Sequence, residues 1–125
     1  MKMIRISDVT LKQADGVCSL SFKEKIEIAK LLDKVGVSVI ELVGIRNHKI
    51  DSLQIKSIAA VVSGSTLAVP VELSEESVET TWNALQLAKR PRLQVCAPTS
   101  SVQMEYFLHK KPESMLASLF MLCFP

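Results

Sequence analysis

The sequence lacks the features that mark a secreted or membrane-embedded protein. Its three cysteines, Cys18, Cys96 and Cys123, are odd in number and lack the paired spacing that a zinc or dithiol site needs. No apolar run reaches the ~18 residues that a membrane helix requires, and the opening segment Met1-Lys2-Met3 has no secretory core. These absences predict a cytoplasmic protein with reduced thiols and no membrane partner.

Charge of one sign is also not concentrated anywhere along the chain. The 15 basic and 13 acidic residues are mixed and leave a formal net charge of +2 at pH 7. A nucleic-acid-binding domain typically carries a basic stripe, so this distribution argues against a nucleic-acid partner. With 125 residues, 48% of them hydrophobic, the chain is long enough to form one domain with a substantial core.

Strand-like and helix-like apolar patterns alternate along the chain. Period-2 alternation in Ile4-Arg5-Ile6-Ser7 predicts a first strand, and three further strands are expected over residues 37–43, 66–73 and 93–97. Each is followed by a segment with helical signals, and the strand spacing of roughly 30 residues is typical of βαβ units. The sequence therefore predicts an α/β fold of four consecutive βα units with a parallel sheet and right-handed crossovers.

Capping signals predict where the first long helix begins and ends. Ser21 with Glu24 three residues later forms a capping box, and Gly36 supplies the left-handed residue that ends the helix. Before it, residues 14–17 (Ala-Asp-Gly-Val) are expected to form a turn.

Similar signals predict the later helices. Asp51 with Gln54 is expected to cap the second helix, Ser74 the third, and Pro112 is well placed to open the last. The third helix is expected to end at Lys89-Arg90-Pro91 and to bury Trp82. The inward side of the last helix is expected to consist of Met115, Leu116, Leu119, Phe120 and Cys123.

Polar side chains follow the ends of the predicted strands, where α/β proteins bind ligands. They are Asp8, Lys12 and Gln13 after the first strand, Glu41 in the second, Glu72 in the third, and Thr99 and Ser100 after the fourth. A carboxylate in an apolar strand is costly to bury unless it is paired, so Glu41 is expected to point into a site. For the others a structural role is the alternative: a loop or turn cap for Asp8, Thr99 and Ser100, and solvent exposure for Lys12, Gln13 and Glu72.

Three stretches carry a resemblance to a known family. Residues 8–13 (Asp-Val-Thr-Leu-Lys-Gln) are similar to its first-strand motif D-T-T-L-R-D-G, and residues 25–41 resemble its first helix and second strand. Residues 99–106 (Thr-Ser-Ser-Val-Gln-Met-Glu-Tyr), followed by Lys111-Pro112-Glu113, resemble its T-S-P-I-H-M-E-Y segment. On these stretches the chain resembles the metallolyase-type (β/α) barrel family of 2-isopropylmalate synthase, homocitrate synthase and hydroxymethylglutaryl-CoA lyase.

The resemblance implies a fold and a reaction. A complete barrel of eight units needs ~250 residues, so residues 1–125 are expected to be a partial domain, the amino-terminal half of a (β/α)8 TIM barrel. The implied activity is an acyl transfer of the kind used in leucine biosynthesis. A divalent cation (Mg, Mn or Zn) polarises the ketone of a 2-oxo acid, and the enolate of acetyl-CoA attacks it.

The family motif also implies roles for individual residues. Its arginine, which anchors the oxo acid, corresponds to Lys12, and its metal-binding aspartate corresponds to Gln13, with Asp15 as a stand-in carboxylate two positions on. Lys12 and Glu41 are the expected catalytic residues. The expected substrate-binding residues are Asp8, Glu72, Thr99 and Ser100. The family's His-x-His metal pair has no counterpart at His48 or His109, so the chain alone is expected not to hold the cation and to be inactive.

Two further expectations follow from a half-barrel. Its inner face is expected to carry Ile6, Ile40, Val69 and Val95 or their alternating neighbours, and such an open face predicts self-association. The apolar segment 119–125 is typical of a longer chain cut short. The alternative to a partial enzyme is a small non-catalytic α/β domain of the same ancestry that binds an anion or a protein partner.

Overall fold

A computed structural model describes residues 3–17, 19–106 and 108–123, with the side chains of residues 14–17 outside that description. The expectations for Cys18, for the Asp15 side chain and for the last two residues concern parts of the chain outside it. Four strands form one sheet: β1 (Ser7–Asp8), β2 (Val39–Glu41), β3 (Thr66–Val71) and β4 (Pro91–Val95). The helices are α1 (Thr10–Val17), α2 (Phe22–Val35), α3 (His48–Val61), α4 (Glu75–Leu85), α5 (Ser101–Tyr106) and α6 (Pro112–Cys123).

The strands follow one another across the sheet in the order β1-β2-β3-β4, and every neighbouring pair is parallel. This arrangement confirms the predicted α/β fold of consecutive βα units, a partial TIM-barrel-like sheet. None of the helices in the described ranges is long and apolar enough to cross a membrane.

One face of the sheet packs against the helices and forms the hydrophobic core. The strand residues in this core are Ile40, Leu42, Leu67 and Val69. They pack with apolar residues of α2, α3 and α4, among them Ala29, Ile55, Ile58, Ala59, Ala84 and Leu85. Burial of this cluster gives the unit its main stabilisation, since each fully buried aliphatic side chain contributes about 1.5–3 kcal/mol.

The opposite face, here called the inner face, carries more polar residues. Two rows of paired residues cross the sheet on this face. One row is Ser7, Val39 and Thr66, and the other is Glu41, Ala68 and Arg92. Ile40 and Val69 lie on the core face, so of the two alternatives left open for the inner face the alternating neighbours are the correct one. Side chains alternate along a strand, and the helices cover the alternating set that contains these two residues, so their polar or small neighbours occupy the inner face.

Pro70 lies inside β3 although β3 is a central strand. Thr66 N donates to Ser38 O and Leu42 N donates to Ala68 O, so the even-numbered residues of β3 direct their backbone groups towards β2. β2 ends at Glu41, and the missing N–H of Pro70 therefore falls beyond the last ladder position. Gly44 occupies that space, where an added Cβ would come within 3.2 Å of Pro70 O.

The capping box at Ser21 and Glu24 is confirmed, and so is the left-handed Gly36, whose φ is 88°. The next predicted cap is wrong, because α3 begins at His48 with Asn47 as N-cap. Asp51 lies one turn inside the helix, where its carboxylate accepts from Arg46 N at 2.8 Å and Asn47 N at 2.7 Å. Asp51 thus closes the preceding loop onto the helix.

Residues 14–17 belong to α1 and do not form the predicted turn. Asp8 starts this helix, since its carboxylate accepts from Thr10 N at 3.0 Å and from Thr10 Oγ1 at 3.2 Å. β1 is correspondingly shorter and later than predicted. Capping by Asp8 outweighs the turn preference of the Asp15-Gly16 pair.

The region around Pro91 also differs from the prediction. α4 begins after Ser74 as predicted but ends at Leu85, and Pro91 opens β4 instead of terminating the helix. Because Leu67 N donates to Arg90 O, the backbone of Pro91 points away from β3, where its missing N–H costs no ladder bond.

The predicted inward faces of two helices need correction. Trp82 is 44% exposed, and Thr81, Ala84 and Leu85 are buried instead. In α6, which begins at Pro112 as predicted, Met115 is buried and Leu119 half-buried. The other predicted inward residues, Leu116, Phe120 and Cys123, are exposed. The short helix α5 was not expected from the sequence.

Candidate functional site

Three side chains meet at the carboxyl ends of β1 and β2. Glu41 accepts a hydrogen bond from Ser7 Oγ to Oε1 at 2.7 Å and one from Lys12 Nζ to Oε2 at 2.9 Å. Ser7 lies in β1, Lys12 in the first turn of α1, and Glu41 at the end of β2. The set Ser7, Lys12 and Glu41 is called the Glu41 cluster below.

The cluster holds Glu41 in its ionised form. Its pKa lies below the usual glutamate value, chiefly because Ser7 donates a hydrogen bond to the carboxylate and then because Lys12 does, while partial burial opposes the shift. Arg92, on the same face of β4, adds a smaller electrostatic contribution in the same direction. The carboxylate therefore serves as a fixed negative charge that orients the Lys12 ammonium.

The structure thus joins Lys12 and Glu41, as the strand order predicts, because consecutive parallel strands end side by side. It adds Ser7 and Arg92, which were not identified from the sequence. Ser7 could have been found from alternation: it shares a face with Val39, the residue two before Glu41. Arg92 had no local signal, since only the register across β3 places it on the face of Glu41.

The other predicted substrate-binding residues lie apart from this contact. The Asp8 carboxylate bonds to Thr10, which is the capping alternative. Ser100 Oγ accepts from Gln103 N at 3.1 Å and so caps the start of α5. Thr99 and Glu72 are exposed, at the β4 and β3 ends respectively.

A larger open cleft, of about 870 Å³, lies beyond β3 and β4. Its lining residues are Val71, Glu72, Leu73, Ser74, Cys96, Ala97, Pro98, Gln103, Leu108 and Lys110. Cys96, at its edge, is an exposed free thiol. The carboxyl side of the sheet therefore offers a charged cluster at β1 and β2 and a mainly apolar cleft at β3 and β4.

One of the two predicted metal ligands can be placed. Gln13 lies in α1 and its side chain is exposed, whereas the Asp15 side chain lies outside the description. The described residues contain no group of three or more His, Cys, Asp or Glu side chains arranged to hold a metal ion.

A parallel βα sheet with polar groups at the strand ends defines a partial TIM-barrel-like domain, and sequence comparison identifies its family. The HMGL-like family model matches residues 3–121, so the chain belongs to the HMGL-like family. This confirms the resemblance on the three motif stretches.

Curated relatives are 2-isopropylmalate synthases. The enzyme of Halalkalibacterium halodurans is 34% identical over 119 residues, covering 93% of this chain and 23% of the relative. That of Clostridium kluyveri is 34% identical over 117 residues, 92% of this chain and 23% of the relative. The chloroplastic 2-isopropylmalate synthase 2 of Arabidopsis thaliana is 36% identical over 125 residues, covering 90% of this chain and 20% of the relative. The chain thus spans less than a quarter of the length of these relatives.

Proposed function

We propose that this chain supplies the first four βα units of an acyltransferase of the 2-isopropylmalate synthase type, which joins acetyl-CoA to a 2-oxo acid in leucine biosynthesis. The observation that carries the proposal is the contact between Lys12 and Glu41 at adjacent strand ends. Both residues lie in stretches that resemble the family's motifs, and such strand ends form the active face of a TIM barrel.

In this proposal Lys12 binds the carboxylate of the 2-oxo acid. Its side chain is 34% exposed and donates to Glu41, and an ammonium group has three N–H donors, so donors remain for a ligand. Lysine keeps the positive charge of the family's arginine but not its two-pronged geometry, which makes orientation of the carboxylate less strict.

Glu41 acts as the residue that positions Lys12. Because its pKa is lowered, Glu41 stays ionised at neutral pH and is a weak proton acceptor. In the overall reaction the acetyl methyl carbon loses a proton and bonds to C2 of the oxo acid, the ketone oxygen gains a proton, and water releases CoA from the thioester. In this reaction the described residues Lys12 and Glu41 bind and orient the oxo acid.

The remaining predicted residues keep their assignments as part of the proposal. Glu72, Thr99 and Ser100 lie at the ends of β3 and β4, next to the cleft of about 870 Å³ or on its rim, where an acyl group would fit. Asp8 would help indirectly by fixing the start of α1, which carries Lys12. Gln13 and Asp15 remain proposed metal ligands, in a site that needs further donors besides these two.

A thermal-shift titration tests the proposal. We expect 3-methyl-2-oxobutanoate at millimolar concentration to raise Tm, whereas 3-methylbutanoate, which lacks the ketone, has a smaller effect. Lys12→Met should abolish the difference between the two ligands. Lys30→Met is the matched control, since Lys30 forms an exposed ion pair with Glu27 on α2, away from the strand ends. An equal response of the Lys12→Met and Lys30→Met variants would contradict the assignment.

A second candidate is a non-catalytic α/β domain that binds an anion or a partner. The observation in its favour is that Lys12 Nζ and Glu41 Oε2 already pair with each other at 2.9 Å without a ligand. In the titration above, this candidate predicts equal shifts for both acids or none.

We also propose that residues 1–125 form a single partial-barrel domain, that the protein is cytoplasmic and that the chain self-associates. The exposed free thiols of Cys96 and Cys123 support a reducing compartment. The exposed apolar side chains of Ile4, Ile6 and Leu116 support self-association.

A further inference from the structure

A smaller cleft, of about 280 Å³, lies between α3 and α4. Arg46 and His48, around the start of α3, form one wall, and Glu72, Glu76 and Thr81 belong to the other. The strands that lead into these two helices, β2 and β3, are the central strands of the sheet. Both walls of the cleft are therefore present in the described part of the chain, and neither is an edge of the sheet.

Opposite charges line this cleft without pairing with each other. The Arg46 guanidinium and the carboxylates of Glu72 and Glu76 all border it, and no ion pair joins them within the described ranges. Unpaired charges of both signs leave room for a ligand that carries both. Two carboxylates beside one guanidinium disfavour a ligand with negative charge alone, since like charges repel.

Two helices begin at the cleft. Asn47 is the N-cap of α3, which has 14 residues, and Ser74 is the N-cap of α4, which has 11. The N-terminal end of a helix is the positive end of its macrodipole, so a carboxylate placed near Arg46 is favoured by the guanidinium and by both helices. The Arg46 side of the cleft is thus suited to the anionic end of a ligand.

The most buried residue in the lining is Thr81. It is 1% exposed, and Thr81 Oγ1 has no hydrogen-bond partner among the residues that the structure describes. A hydroxyl buried in this way costs free energy, which a ligand that bonds to it would recover. The serine hydroxyls beside it differ, because Ser77 Oγ accepts from Glu72 N at 3.0 Å and Ser74 Oγ accepts from Ser77 N at 3.3 Å.

We propose that this cleft binds a small zwitterionic α-amino acid with a hydroxyl side chain, of which serine is the simplest. Its carboxylate binds Arg46, its ammonium binds Glu72 and Glu76, and its hydroxyl bonds to Thr81. A volume of about 280 Å³ lies just below the roughly 300–1,000 Å³ of drug-sized sites, which suits a ligand of this size. The site uses neither Lys12 nor Glu41 and is independent of the proposed acyltransferase function.

Titration of the 125-residue chain with three probes, followed by NMR, tests the zwitterion. We expect L-serine to bind at millimolar concentration. Serine methyl ester, which lacks the carboxylate, and glycerate, which lacks the ammonium, should each bind at least about tenfold more weakly. No binding of serine, or equal binding of either analogue, would overturn the proposal.

Variants test the two charged walls. Arg46→Met and Glu76→Gln should each weaken serine binding by about tenfold. Lys49→Met on α3 and Glu79→Gln on α4 are the matched controls, because both residues are exposed and lie outside the lining. Controls that weaken binding as much as the test variants would contradict the assignment. Glu72 stays unchanged, since it also borders the larger cleft.

The role of Thr81 has a readout that general destabilisation would not produce. Wild type should bind L-serine about fivefold or more tightly than L-alanine, because only serine carries the hydroxyl. Thr81→Val should remove this preference without weakening alanine binding, whereas Thr81→Ser should keep it. Circular dichroism verifies folding. A serine preference that persists in Thr81→Val would refute the hydroxyl contact. No 2-oxo acid is used, so the outcome is separate from that of the thermal-shift titration.

Discussion

The ammonium nitrogen of Lys12 lies 2.9 Å from Oε2 of Glu41, although 29 residues separate the two in the chain. The contact links α1 to the end of β2. Ser7 Oγ holds the other carboxylate oxygen at 2.7 Å, so one glutamate joins the first strand, the first helix and the second strand. Such a residue affects both stability and the orientation of Lys12.

A double-mutant cycle on Lys12→Met and Glu41→Gln should give a coupling free energy of roughly 0.5–1 kcal/mol. This is at the upper end of the range for exposed ion pairs, because the Glu41 side chain is only 16% exposed and the Lys12 side chain 34%. Chemical denaturation of the four proteins measures it. The Glu27–Lys30 pair on α2, with side chains 54% and 46% exposed, is the control and should show no measurable coupling.

The same glutamate predicts a pH dependence. Its folded pKa lies below the unfolded value because Ser7 and then Lys12 donate hydrogen bonds to it. Its contribution to stability is therefore fully present above the ordinary glutamate pKa and is lost as pH falls through the lowered folded pKa. The difference in unfolding free energy between wild type and Glu41→Gln should shrink on acidification; a difference that grows would contradict the assignment.

Asp33→Asn should destabilise the chain by about 1–3 kcal/mol. The Asp33 carboxylate accepts from Ser63 N at 3.0 Å, Gly64 N at 3.0 Å and Ser65 N at 2.7 Å, and so fixes the loop between α3 and β3 to the end of α2. Burial raises the pKa of Asp33, but these donors outweigh it and lower the pKa overall. The loss should therefore be largest near neutral pH and diminish as pH falls through the lowered pKa.

Urea denaturation at two pH values measures this effect. Glu27→Gln, which removes an acceptor from an exposed helix pair, is the control and should leave the midpoint nearly unchanged. An Asp33→Asn variant as stable as wild type near neutral pH would show that the loop does not depend on this carboxylate.

Thr81→Val should stabilise the chain by roughly 1 kcal/mol. Thr81 is 1% exposed, and within the described ranges its hydroxyl oxygen is buried with no hydrogen-bond partner. Valine has nearly the same shape and removes the desolvation cost of that group. Thr80→Val, at the half-buried neighbouring position, is the control in thermal and urea unfolding. A destabilised Thr81→Val variant would mean that the hydroxyl has a partner.

The isolated chain should not catalyse acyl transfer. The described residues assemble no metal donor set, and Lys12 orients an oxo acid less strictly than arginine does. A thiol assay with acetyl-CoA, 3-methyl-2-oxobutanoate and Mg²⁺ or Mn²⁺ should match a mock preparation. CoA release that depends on the 2-oxo acid and exceeds the mock would refute this expectation.

Local rules were enough to predict much of the architecture. The four strands, their order along the chain and the intervening long helices follow from periodicity. The capping box at Ser21, the left-handed Gly36 and the cap at Ser74 follow from hydrogen bonds within a few residues. The pairing of Lys12 with Glu41 was also predictable, because consecutive parallel strands are neighbours.

The sequence alone determined that the strands have two unlike faces, but only the tertiary structure decided which face meets the helices. The alternation of side chains along β2 is the same whether Ile40 or Val39 points to the core. Packing of Ile40 against Ala29, Ile55 and Ile58 makes the choice. The same holds for Trp82, whose helix is rotated so that Thr81 and Leu85 are buried, and for Arg92, which shares a face with Glu41 through the register across β3. These features depend on contacts between residues distant in the chain, and no local pattern encodes them.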